Sequence, residues 1–459
     1  MKKLFFIYSL LFIGVCTCMQ AQNDLGVSAG CGKGGTATTI LKNWEAIGIN
    51  PSNLGWSENK TFSLGVFNSI GLNIQSQALD LGNLYNSIAH PKNDLSSSDK
   101  LALSDFFTTD NGLNIQTHVN WFAASTQLAK IGGIAVNIRD RFYAHAHFNP
   151  NLADVLFNGF DAQSYIDTVT PNLLISNFTN GTQVRFTHYR ELNFAYGRKI
   201  ISIAGIDLYG GIGYKRVWGL GYLDVDVTGD VLKGQSALST RYNLNGVDSS
   251  FNIQDVDKLF NNVGNGNAFD FGINAMIKNM FKFGIAFTDL GSIKWTDNVM
   301  TAKDTLMPVL DSSLTGMQSY EISDAMQILF GDKGLIRFKP STSFSTAMPA
   351  RMRLGAGIKF RKILELAADI VIPLNTAVGN LQHTYYALGG EVNIVGTFKL
   401  HTGICTSKDF GYAIPLGVGF GTGGIIEFSI STSDVLTWIG QSSHPNAGLI
   451  LGVFRFNLL

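Results

Sequence analysis

The chain has 459 residues, of which 45% are hydrophobic and only 15% charged, with 50 Gly and 32 Phe against 10 Pro. Scarce charge with abundant aromatics excludes a disordered chain, and 34 basic against 34 acidic residues leave no cationic excess for nucleic acid. A soluble chain of this length divides into two or three domains, whereas one large closed sheet uses the residues in a single unit.

Residues 1–22 read as a secretory signal peptide. Lys2 and Lys3 precede the largely apolar run Leu4 to Val15, and Met19-Gln20-Ala21-Gln22 offers cleavage after Ala21 or Gln22. The run is shorter than the roughly 20 residues of a spanning helix. Cys16 and Cys18 suggest a lipoprotein instead, but Val15 and Thr17 precede them where a small residue is expected. Past the signal only Cys31 and Cys405 remain, either paired in an oxidising compartment or left as two thiols. No later stretch is apolar for 18 residues, so any membrane crossing is made by strands.

Residues 23–58 form a separate segment. Ile40, Trp44, Ile47, Ile49, Leu54 and Trp56 are apolar without period 2, and Asn50-Pro51 is turn chemistry. Such a segment ahead of the first strand has to bury itself, and a barrel lumen is the nearest place. Asn50, Pro51 and Leu54 mark this hatch, and residues 59–459 form the barrel.

The barrel reading rests on alternation. In Arg351–Phe360 one face is Met352, Leu354, Ala356, Ile358 and Phe360, and the other Arg351, Arg353, Gly355, Gly357 and Lys359. Residues 364–372, 269–278 and 281–288 repeat the pattern, with very short turns at Lys278-Asn279 and Arg361-Lys362. Strands near ten residues with an apolar outer face and a Gly-rich, ionisable inner face suit a transmembrane antiparallel β-barrel. Sixteen candidate segments occur, at 61–76, 116–128, 131–147, 183–197, 204–218, 220–231, 237–246, 268–278, 280–290, 350–360, 363–373, 384–396, 398–405, 413–421, 424–433 and 448–459. Some adjacent pieces belong to one strand, so about 14 strands are predicted, with 12 and 16 as neighbours. In the last one Ile450, Phe454, Phe456 and Leu458 share a face opposite Arg455 and Asn457.

Helical insertions interrupt the strands. Ser96–Phe107 has Ser97 or Ser98 in capping position, and Pro150 starts a helix carrying Leu152, Val155, Leu156 and Phe160. Phe251–Val263 and Glu321–Phe330 are two more short amphipathic stretches. These fall in the long extracellular connections of a barrel, where Leu152, Val155, Leu156 and Phe160 offer a docking surface.

Signals for catalysis and cofactors are weak. His145 and His147 share a strand face but have no carboxylate or Cys at ligand spacing. His188 and His401 have no sequence-visible nucleophile or orienting partner, and the Gly-rich stretches 32–35 and 421–424 lack the strand–loop–helix context of a phosphate loop. No enzyme activity and no cofactor are therefore expected. The polar set of interest is the inward cluster Arg351, Arg353, Glu365, Asp369 and Arg455, joined by Arg185, Glu191, Asp270 and Lys282. It reads either as ion pairs holding hatch to wall or as a polar site for a ligand carboxylate or peptide.

Three stretches resemble a known family. Ala46-Ile-Gly-Ile-Asn-Pro-Ser-Asn-Leu54 is similar to the segment that opens FadL-like outer-membrane barrels, with Ser52 where Ala is usual. Phe269–Gly272 with Phe283–Gly291 and Trp295 resembles a hairpin of PorV-type barrels, and Met348–Gly355 their strand start, with Met348 in place of Leu. The resemblance implies an N-terminal hatch inside 14 strands, outer-membrane lipid around it, and one of two functions. One is binding of protein partners in type IX secretion or another cell-surface complex through extracellular loops. The alternative is transport of a hydrophobic small molecule past the hatch.

Overall fold

Strand β1 (Phe62–Gln75) pairs antiparallel with β2 (Leu113–Leu128), and the meander runs on through β3 (Gly132–His147), β4 (Gln183–Ile203) and β5 (Ile206–Thr228). In this computed structural model residues 28–459 are described, apart from 91–93, 240–260, 311, 313, 321, 332–333, 362, 395–396, 423–424 and 459. The signal peptide, most of the 237–246 strand and the 251–263 helix up to residue 260 lie outside the described residues.

Next to β5 come β7 (Gly264–Ile277) and β8 (Phe281–Trp295), then β11 (Phe344–Ala347) and β12 (Arg351–Phe360), two pieces of one wall strand on β8. The wall continues as β13 (Leu364–Pro373), β14 (Tyr385–Ile394) and β15 (Phe398–Ser407). Both β16 (Gly411–Ala413) and β17 (Leu416–Thr422) lie on β15, followed by β18 (Ile426–Thr432) and β19 (Asn446–Leu458), which closes the ring on β1. The result is a closed antiparallel barrel of 14 wall strands, all-β with short helices. Closure leaves no sheet edge in hydrocarbon, the condition for crossing a bilayer with strands.

The segments read as 204–218 and 220–231 are largely one 23-residue strand, β5. Gly219 pairs with Tyr189 and Gly221 with His188, so Leu220 bulges between them. Beyond the bulge β5 exchanges β7 for β6 (Val231–Leu238), which pairs with β9 (Val299–Lys303) and through it β10 (Phe338–Pro340). These three strands extend the wall on one side.

Inward and outward faces follow the parity of the sequence. On β7 and β8 Phe269, Phe271, Ile273, Phe283, Ile285 and Phe287 are exposed outward, while Asp270, Asn274 and Lys282 are buried inward. The last strand departs from expectation. Ile450 is buried inward and Leu449 and Leu451 are exposed outward, so Ile450 does not share a face with Phe454. The cause is a bulge: the β18–β19 register slips between Glu427 and Ser429, and Phe454 has a φ of 47°.

Short turns at 129–131, 204–205 and 278–280 share one end of the barrel with the start of β1 and the end of β19. At Lys278 and Asn279, φ values of 51° and 53° give the left-handed pair that two-residue hairpins use. Long connections, 76–112, 148–182 and 296–343, gather at the other end, which is extracellular by the usual loop asymmetry. They fold into a cap with helices at Leu81–Ala89, Ser97–Thr108, Pro150–Asn158 and Ile322–Phe330. Ser96, rather than Ser97 or Ser98, caps the second. Of the three serines only Ser96 has an acidic residue at the N3 position, and Ser96 and Asp99 bond each other's backbone N–H. The cap has its own core around Leu103, Phe106, Phe148, Phe157, Phe178 and Leu329.

Candidate functional site

The lumen is filled by the segment ahead of β1. A one-turn helix at Ser28–Cys31 and 3-10 turns at Asn43–Ala46 and Pro51–Gly55 are separated by irregular chain, and Ile40, Trp44, Ile47, Ile49, Leu54 and Trp56 are all buried.

Asn50 organises the inner half. Its Oδ1 accepts from Ser52 N at 3.2 Å and Ser52 Oγ at 2.6 Å, and its Nδ2 donates to Thr38 O at 3.2 Å. Pro51 follows as the first residue of the turn, where a missing N–H loses nothing. Asn53 Nδ2 donates to Thr38 O and Leu41 O, at 3.1 and 3.0 Å, tying the two halves together. This turn lies on a row of wall glycines that are register partners across four strands, Gly133–Gly197–Gly211–Gly272. A Cβ at Gly211 would strike the Pro51–Ser52 peptide, one at Gly197 the Pro51 carbonyl, and one at Gly133 the Leu54 carbonyl. The glycines serve close backbone approach rather than turns.

The other half, residues 28–46 with Glu58 (the outer half), touches wall glycines at Gly389 and Gly355 and is held in addition by charge. Lys33 Nζ lies 2.8 Å from Glu391, and Glu45 pairs with Arg455. Glu58 takes Lys42 at 3.1 Å, Lys282 at 2.6 Å and also Lys359, while Lys282 reaches Glu365 at 3.0 Å. Burial alone would raise the Glu58 carboxyl, but Lys42 and Lys282 with Lys359 hold it well below the usual range. A polar cavity of about 220 Å³ runs among Lys33, Lys42, Glu45, Glu58, Glu391 and Arg455, ample for several waters.

Above the inner half the β13–β14 connection folds into the lumen. Arg351 Nε donates to Asn380 Oδ1 at 2.9 Å and its guanidinium to Gly379 O at 3.2 Å. Between Gly379 and Ile47-Gly48-Ile49 remains a chamber of about 40 Å³ lined by Arg139, Arg141, Arg351 and Arg353. Below its wall Glu191 takes Arg139 at 2.6 Å, Asp289 takes Arg141 at 3.0 Å, and Lys215 joins Asp270 at 2.9 Å.

Of the sequence-predicted polar set, all five face inward but serve separate contacts. Arg351 holds the β13–β14 connection, Glu365 joins the Lys282 network, Arg455 holds Glu45, and Arg353 lines the chamber. Asp369 accepts from Ala37 N and Thr38 N at 2.9 Å each and from Thr38 Oγ1 at 2.7 Å. Leu152, Val155 and Leu156 are buried within the cap core, so they stabilise it from inside, and Phe160 alone of the four is exposed. Outward-facing apolar residues of the cap are Leu101, Ile166, Leu306 and Val309. Cys31 on the plug and Cys405 on β15 are buried free thiols. His145 and His147 bond Asn114 Oδ1 and Thr109 O, at 2.9 and 3.0 Å. Sequence reasoning missed Lys33, Lys42, Glu45 and Glu58 as plug contacts, because their wall partners are remote in the chain. The glycine row was readable in part, since glycine recurs at inward parity.

The chain matches a family over residues 55–422, most of its length. It belongs to the family of unknown function DUF5723. No curated protein matches this family member. Among solved structures it is similar to a TodX deltaS2S3 mutant monoaromatic hydrocarbon channel, at 10% identity over 94% of this chain and 99% of that one, TM-score 0.49. The Pseudomonas putida toluene transporter TodX (10% identity, 95% and 98% covered, TM-score 0.43) and a Pseudomonas aeruginosa FadL homologue (10%, 95% and 98%, 0.41) are further such likenesses.

Proposed function

We propose that this outer-membrane barrel passes a hydrophobic small molecule, captured by the extracellular cap, around a plug that loosens from its wall. The observation that carries the reading is how the outer half of the plug is attached. Ion pairs bordering a cavity with room for several waters can trade a partner for water, whereas a plug meant as a permanent seal would be expected to use a dry apolar core alone. Leu101, Ile166, Leu306 and Val309, each more than half exposed, give the cap a greasy outer surface, which marks binding rather than mere cover.

A second reading, docking of a protein partner as in PorV-type secretion complexes, is favoured by a different observation. Two cavities of the lumen are lined by many charged side chains, among them Arg139, Arg141, Lys42 and Glu58, which suits water better than a hydrophobic cargo. One experiment separates the two. In proteoliposomes, the Leu101→Ser/Ile166→Ser/Val309→Ser variant should lower uptake of a radiolabelled monoaromatic probe severalfold while the barrel stays heat-modifiable. Unchanged uptake, with loss of co-purifying proteins from native membranes, would favour docking.

A further inference from the structure

The outer wall also carries a concavity that transport past the plug does not use. The outward surface is hollowed where its residues are small, at Ala275, Ala356 and Ala368 (about 470 Å³) and at Ala124 on β2; the Ala124 groove differs in what lies at its end. This groove of about 520 Å³ opens across β1–β5, floored by Ala124, Val136 and Ile212 and walled by Phe62, Phe194 and Tyr196.

Its periplasmic mouth is basic. Tyr196 Oη donates to Ile131 O at 2.7 Å, which lays the ring against the turn carrying Lys130. Arg198 continues the outward row of Phe194 and Tyr196, and Gly132 of the same turn abuts its backbone. Lys130 and Arg198 are both exposed, and among the described residues no ion pair to a carboxylate engages either, whereas neighbouring Lys199 is paired with Asp207 at 2.7 Å. The β3–β4 ladder stops at Gly133–Gly197, so no wall strand covers this mouth on the β3 side. Exposed Ile200, Ile201 and Ile203 continue the apolar surface beyond it.

An apolar groove ending in two unbalanced cations at the level of the short turns selects an amphiphile with an anionic head. We propose that the β1–β5 groove binds an anionic diacyl phospholipid of the periplasmic leaflet, one acyl chain on Ala124 and Val136 and the phosphate between Lys130 and Arg198. The site is independent of what passes through the lumen.

Native mass spectrometry of the full barrel, incubated in detergent with phosphatidylglycerol or phosphatidylcholine, tests this. The wild type should retain phosphatidylglycerol about tenfold more than phosphatidylcholine, a size suited to two surface cations near a phosphate. Lys130→Gln with Arg198→Gln should abolish the preference, and Ala124→Phe, which fills the floor, should cut retention of both lipids. Lys278→Gln, in the β7–β8 turn, should change nothing. Equal retention of the two lipids by the wild type overturns the proposal. So does a preference that survives the double variant or vanishes in Lys278→Gln, or unchanged retention by Ala124→Phe in a barrel that remains heat-modifiable.

Discussion

The plug has two halves that meet the same wall with different shares of packing and charge. From Asn50 to Gly55 it lies against glycines, with backbone touching backbone and buried asparagine amides taking up the polar groups. From Ser28 to Ala46, joined by Glu58, it also touches wall glycines, at Gly389 and Gly355, but adds lysines and carboxylates around water-sized space. Contact of the first kind tolerates no added atom. Contact of the second kind weakens gradually, because water replaces a lost partner. The charged set is therefore the part of the attachment that can be weakened without repacking the wall.

The largest effect should come from breaking the inner half. Gly211→Val places a side chain on the Pro51–Ser52 peptide, where neither backbone can yield. Overpacking of this kind costs about 1–3 kcal/mol, and the expected outcome is a displaced plug: faster entry of a large antibiotic and a lower unfolding temperature on heat-modifiability gels. Gly419→Ala supplies the contrast. It borders the polar cavity, and its Cβ would meet Lys399 Cβ at 3.5 Å, Phe428 O at 3.8 Å and His401 Cε1 at 3.9 Å, all ordinary contacts. It should be neutral or slightly stabilising. Equal effects at 211 and 419 would show that the two halves are packed alike.

A smaller effect is expected from Glu58→Gln. Three lysines, Lys42, Lys282 and Lys359, converge on this carboxylate, and the variant leaves them without it while keeping its shape. With the site partly hydrated, a loss of about 1–2 kcal/mol is reasonable. Antibiotic entry should rise severalfold while the assembled barrel keeps its mobility on gels. Lost assembly with no leak would move Glu58 from latch to folding determinant.

How much of this the sequence disclosed depends on the range of the physics. Strand parity is local, so the inward placement of Arg351, Arg353 and Asp369 was legible, as were Asn50-Pro51 and the apolar residues of the plug. The bulge at Phe454 hid the parity of Ile450, because a left-handed residue shifts register without a compositional sign. Pairing across the lumen is not local at all. Glu58 and Lys359 lie 301 positions apart, and nothing in either neighbourhood names the other. The cap misled for a simpler reason: Leu152, Val155 and Leu156 look alike whether they face a partner or their own core.

The smallest effect concerns acid. Because the lysines hold the Glu58 carboxyl below its ordinary value, the attachment it provides is fully present above the unfolded pKa, about 4.3 for a glutamate. It is lost only as pH falls through the lower folded value. Antibiotic entry into wild-type cells or liposomes should thus stay flat from pH 8 to about 5 and begin to rise only below about 4. Salt should act sooner. Raising ionic strength from about 0.1 to about 1 M shortens the screening length from roughly 10 to 3 Å, enough to weaken hydrated pairs but not backbone packed on glycine. The wild type should then leak modestly more, and Glu58→Gln, already lacking the carboxylate, should respond less. A rise between pH 7 and 6 would instead show that a group other than Glu58 governs the release.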